Sequence, residues 1–141
     1  MGQSFTGDGN PIGSIRVRMK KVGSPTGNMV MKLYAHSGTY GTSSVPTGPF
    51  LTESFAIDVS GLPTSLQEQK FSFGAEYTLS NGTYYCLSFE YDDGDASNRV
   101  EAEIDASSPT HGGNCFEYLN SVGDWTALPA YDAWFQVLTT P

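Results

Sequence analysis

Near the carboxyl end, Asp132, Trp134 and Gln136 stand at every second position. In an extended chain alternate side chains share a face, so an indole lies between two hydrogen-bonding groups. Tyr131, Ala133, Phe135 and Val137 take the opposite, apolar face. A flat ring with polar neighbours suits a sugar, whose C–H face packs on aromatic surface while its hydroxyls take polar partners. The competing reading is that Trp134 caps the edge of the fold or fills its core. Trp125, in Val122-Gly123-Asp124-Trp125-Thr126, could extend such a platform, as could Tyr118 or Tyr40.

Asp92, Asp93, Asp95 and Asn98 gather three carboxylates and an amide in one short loop. Hard cations such as Ca2+ want oxygen ligands converging from a turn, although the ordered spacing of an EF-hand is absent. The alternative is an acidic turn whose side chains cap their own backbone. Asp8-Gly9-Asn10 is a weaker candidate of the same kind.

Catalytic chemistry has little to draw on. There is no nucleophile elbow, phosphate-cradling glycine loop, zinc-protease helix motif or dinucleotide fingerprint. His36 and His111 are the two bases that could act at neutral pH, and both read as surface histidines. A carboxylate pair for glycoside hydrolysis could come from fifteen acids, none of which is singled out. The expectation is a binding domain, not an enzyme.

A formal net charge of -8 argues against DNA or RNA as partner, because nucleic-acid affinity draws on phosphate neutralisation by Lys and Arg. Four of the seven basic residues, Arg16, Arg18, Lys20 and Lys21, fall in one segment. They read as a solvated strand face opposite acids such as Glu101 and Glu103. Cys86 and Cys115 lie in strand-like segments and fit either a cross-strand disulfide or two buried free thiols. No stretch is long and apolar enough for a membrane-spanning helix, and the start lacks the pattern of a secretory signal. Strand-like residues at both ends suggest a piece of a longer protein, a parent enzyme or virion protein being the expected remainder of the chain.

The elements that must position these residues are strands. Sixteen glycines, 8 prolines and 13% aromatic residues describe many short strands and tight turns. Ile15, Val17 and Met19 alternate with Arg16, Arg18 and Lys20, and Met29, Met31, Leu33 and Ala35 with Val30, Lys32, Tyr34 and His36. The turn between them, around Pro25 and Gly27, predicts a hairpin. Residues 37–49 read as a long surface loop. Asn81-Gly82 predicts a type I′ turn, although Asn81-Gly82-Thr83 also matches a glycosylation sequon. In the strand that follows, Tyr85, Leu87, Phe89 and Tyr91 form the core row, with Tyr84, Cys86, Ser88 and Glu90 facing away. Strands are also expected near Phe55, Phe71 and Val100, at 114–119 after a loop at 107–113, and at 131–138. About eight or nine strands without a helix predict an all-β, two-sheet antiparallel sandwich of jelly-roll type over 1–141.

Several stretches resemble a known kind of module. Gly2-Gln3-Ser4-Phe5-Thr6, the Ser24-Pro25-Thr26-Gly27-Asn28 turn before Met29 to Ala35, the segment from Leu79 to Tyr85 and the closing Tyr131 to Val137 look like jelly-roll modules. Such modules are appended to secreted bacterial proteins and to phage tail or virion proteins. The resemblance implies a role like that of carbohydrate-binding modules, often with a structural calcium, and an extracellular or virion context; it supplies no catalytic residues. It equally admits a structural or receptor-binding domain whose ligand is a protein. Trp134 stands where the resemblance leads one to expect a small residue.

Overall fold

Residues 1–107 and 111–141 are described by the computed structural model. The strands are β1 (Gly2–Thr6), β2 (Ile12–Val22), β3 (Asn28–Ser37), β4 (Val45–Glu53), β5 (Ile57–Asp58), β6 (Gln67–Ser72), β7 (Tyr84–Glu90), β8 (Arg99–Ala102), β9 (Ile104–Asp105), β10 (Cys115–Leu119), β11 (Asp124–Leu128), β12 (Asp132–Ala133) and β13 (Phe135–Thr139). The only helical piece among the described residues is a 3₁₀ turn at Val59–Gly61. The large sheet runs β11-β10-β1-β7-β3-β4, with β5 on the first residues of β3; the small one runs β13-β2-β6, with β8 also on β2. All pairings are antiparallel. The protein is thus an all-β sandwich, as the period-two pattern predicts. No helix among the described residues is long and apolar enough to cross a membrane.

The alternating rows form the core. Ile15, Val17 and Met19 of β2 and Phe71 of β6 face Met31, Leu33 and Leu87 of β3 and β7, all fully buried. Each such side chain contributes about 1.5–3 kcal/mol on leaving water. The charged face of β2 meets its acids: Arg18–Glu103 is 2.7 Å and Lys20–Glu101 is 3.2 Å.

Strand partners differ from the expectation in three places. β2 and β3 are not a hairpin, because β2 belongs to the small sheet and β3 to the large one. Alternation reports which face is buried, and two strands facing each other across a core read like two paired side by side. Asn81-Gly82 does not make a type I′ turn either. Thr83 donates to the Ser80 carbonyl at 3.1 Å; Gly82 has φ +74° and Asn81 is not among the residues of positive φ, the pattern of type II. Finally, β4 begins at Val45, so the expected loop at 37–49 shortens to 38–44.

The two cysteines are free. Gln3 pairs with Cys115 and Ser4 with Cys86 across β1, so their side chains leave opposite faces of the sheet and cannot bridge.

Two irregularities shape the surface. Against β3, Leu33 pairs with Thr52 but Ala35 pairs with Thr47, so 48–51 bulge out of β4 opposite Tyr34. On β2, Met19 pairs with Gln67 on one side and Ala102 on the other, which puts β8 on the same edge as β13. The two meet around Arg18, whose carbonyl accepts from Glu103 N at 2.8 Å, while Trp134 N donates to the Glu103 carbonyl at 3.0 Å.

Candidate functional site

That junction decides where Trp134 points. The chain leaves β12 and enters β13 at this residue, so the strict alternation assumed for 131–137 breaks there. Trp134 does face outward, at 36% exposure, but the Arg18 guanidinium lies over its ring, 6.0 Å from the centroid. Gln136 is exposed beside Arg16 in register. Asp132, expected on the same outer face, is instead buried. Its Oδ1 accepts from Gln3 Nε2 at 2.8 Å and its Oδ2 from His111 N at 3.0 Å. Both oxygens already serve the fold and neither reaches out to a sugar hydroxyl.

Asp132 belongs to a buried polar hub centred on Gln3 of β1. The Gln3 Oε1 accepts from Ala133 N at 2.8 Å and from the Cys115 thiol at 3.2 Å. Its Nε2 also approaches His111 Nδ1 at 3.3 Å, which accepts from Gly113 N at 3.0 Å. Two N–H donors on one ring nitrogen require the neutral imidazole with its proton on Nε2. Burial pushes the His111 pKa down, partly opposed by Asp132, and pushes the Cys115 thiol up to about 12. A thiol held protonated is no nucleophile at neutral pH, so Cys, His and Asp here tie strands together. Of the loop expected at 107–113, residues 108–110 lie outside the described residues.

The outer face of the large sheet carries a second aromatic group. Trp125, expected in a loop, lies on β11 opposite Tyr118 of β10, with ring centroids 5.2 Å apart. It also packs edge-on against Phe116 and Tyr34. Phe116 is fully buried although it points away from the sandwich core. The sheet is curled: β11 approaches β4 across this face. This face also holds a cleft of about 430 Å3 whose lining includes Met1, Tyr34, Glu90, Asp92, Tyr118 and Trp125. Tyr34 OH donates to Glu90 Oε1 at 2.6 Å, and Lys32 pairs with Glu90 Oε2 at 2.7 Å. Burial, then the Glu90 hydrogen bond, raises the Tyr34 pKa, so the phenol remains a donor. Ser88 Oγ is buried in this lining with no hydrogen-bond partner among the described residues.

Further along the same face Tyr40 stacks on Tyr84 at 4.1 Å, and His36 packs against both rings. The structure therefore divides the expected platform. Trp125 and Tyr118 come together, Tyr40 joins Tyr84, and Trp134 with Gln136 stands alone on the small sheet. Tyr34, Ser88 and Glu90 were not singled out in the sequence. Their positions on the outward row of β3 and β7 were readable, but the curl that gathers them was not.

In the acidic loop Asp95 Oδ1 accepts from Ser97 N and Asn98 N at 2.7 and 2.8 Å, and Asn98 Nδ2 reaches both Asp95 oxygens. Asn98 Oδ1 accepts from Ser24 N, while Asp92 turns to the cleft. Asp95 and Asn98 thus close a turn. Among the described residues no group of three or more His, Cys, Asp or Glu is placed to hold a metal ion. Asp8 is used the same way, accepting from Asn10 N and Thr139 Oγ1. Compared with known proteins, the chain matches no family model, no curated protein and no solved structure.

Proposed function

We propose that this protein is a non-catalytic carbohydrate-binding domain whose ligand lies in the cleft beside Trp125. The observation that carries this is the gathering of the Trp125, Tyr118 and Tyr34 rings at one cleft that also holds Glu90, Asp92 and Asn120. A sugar offers an apolar face to the rings and hydroxyls to the polar side chains around them. The resemblance to modules of secreted and phage proteins supports the same reading and an extracellular or virion setting. Trp134 is the weaker candidate, since Arg18 already occupies its ring.

Tryptophan fluorescence titrated with soluble oligosaccharides tests this. Trp125→Ala should weaken binding by about 2 kcal/mol, roughly thirtyfold, and Trp134→Ala should leave it unchanged. Equal losses in both variants, or no response to any glycan, would reject the assignment. A second reading, a structural or receptor-binding virion domain with a protein ligand, draws on exposed Phe50 and Leu51 in the β4 bulge and on Phe55 at 65% exposure. It predicts stable oligomers on a sizing column.

A further inference from the structure

We infer that the ligand of the cleft is an amphiphilic glycoside, whose sugar lies beside Trp125 and whose alkyl chain runs on into an apolar groove between the two sheets. This rests on the glycan reading above and names the ligand class of that same site.

The groove opens at the end of the sandwich where the core rows run out. Met29 and Phe89 come from the large sheet and Val100 and Ala102 from β8 of the small one, and all four line a hollow of about 410 Å3, within the range of small-ligand sites. On β2 the row of Ile15, Val17 and Met19 would continue at Lys21, but that side chain turns to the Ser60 carbonyl, and no residue of β2 lines the groove. Met1, Phe89 and Tyr91 belong to the groove and to the Trp125 cleft alike. The two hollows therefore adjoin along these three residues, with the Met1 carbonyl accepting from Phe89 N at 2.8 Å.

Their polar content sets them apart. The Trp125 cleft offers Glu90, Asp92 and Asn120 to sugar hydroxyls. The polar side chains at the groove already have partners: Tyr91 OH donates to the Thr26 carbonyl at 2.7 Å, while Glu101 accepts from Arg99 at 2.6 Å and pairs with Lys20 at 3.2 Å. The Met1 ammonium interacts with Glu90 and Glu117. An occupant of the groove therefore has little hydrogen bonding to make there, which suits hydrocarbon and penalises a sugar hydroxyl. Methylene groups laid in the hollow exchange water for apolar side chains. A molecule with a sugar at one end and an alkyl chain at the other meets both halves at once.

The experiment titrates the full chain with methyl, butyl, hexyl and octyl β-glucosides below their micelle-forming concentrations, following binding by calorimetry. Affinity should rise about twofold for each added methylene, because an open groove covers about half of each group. Trp125→Ala should weaken every member of the series by the same factor, since the sugar contact is common to all. Ala102→Phe and Val100→Phe each fill the groove; whichever of them melts like the wild type should flatten the rise and leave methyl glucoside unaffected. A flat series in the wild type, with methyl glucoside still bound, would overturn the alkyl site and leave the glycan reading standing. A rise that survives in a folded filling variant, or a series untouched by Trp125→Ala, would also overturn it, because the chains would then bind elsewhere or without the sugar. Binding of none of the four would overturn the glycan reading, and this inference with it.

Discussion

The two tryptophans sit on opposite outer faces of the sandwich, and their surroundings differ in kind. Trp134 lies beside a ladder of ion pairs: Arg18 with Glu103, Lys20 with Glu101, Arg16 with Glu68. Trp125 lies at a cleft with two further aromatic rings and the polar side chains of Glu90, Asp92 and Asn120. An exposed indole is thus weak evidence for a ligand site by itself. What separates the two is whether other rings and a concave surface gather around it.

The strongest way to break the comparison is to remove what holds the Trp125 side together. Phe116→Ala should cost about 3–5 kcal/mol, as for a buried aromatic elsewhere, and should also abolish glycan binding. Chemical denaturation with a parallel titration checks both, and a stable variant with intact binding would show that the curl does not depend on that ring. Ser88→Ala sharpens the contrast differently. Deleting a buried hydroxyl that has no partner should raise stability by about 1 kcal/mol and leave ligand binding unchanged, because the hydroxyl is out of a ligand's reach. A loss of stability would mean that the hydroxyl is satisfied in the free protein.

Acid should act at the Trp134 end. The folded pKa of His111 lies below 6.5 because of burial, and burial lowers that of His36 too. As pH falls through 6.5 the unfolded chain takes up protons that the folded chain refuses, so stability declines. The carboxylates Asp8, Asp58 and Asp95 have pKa values depressed below 3.8 by hydrogen bonds, and their contribution is lost only in stronger acid. Melting temperatures from about pH 8 to pH 5 should therefore fall, and fall less in His111→Gln. A flat profile in the wild type would dismiss the hub as a pH-sensitive element. The smallest effect is expected on the ladder itself: Arg16→Gln removes a 3.9 Å pair between exposed side chains and should change stability by less than about 1 kcal/mol.

How much of this was legible follows from the range of each interaction. The core row from Ile15 to Met19, the row from Tyr85 to Phe89 and the charged face of β2 are properties of one strand and its period, and they came through. β11 was missed because its five residues, Asp124–Leu128, carry no clean alternation and follow a glycine. The orientation of Asp132 was misjudged because one irregular residue, Trp134, shifts the phase of everything before it. The cleft was invisible for a deeper reason. It arises where the sheet curls, and curvature is set by the bulge at 48–51 and by strand order, neither of which is written in local periodicity.

The same curl has a bearing on how the protein keeps company with itself. β4 and β11 are the outermost strands of the large sheet, each with one rim of unpaired backbone amides and carbonyls, and such rims template the addition of further strands from other molecules. Drawing the two rims toward each other, with 48–51 looped out of one of them, denies a neighbouring chain any long straight edge to copy. A sheet without a long straight edge offers little purchase for strand-by-strand growth.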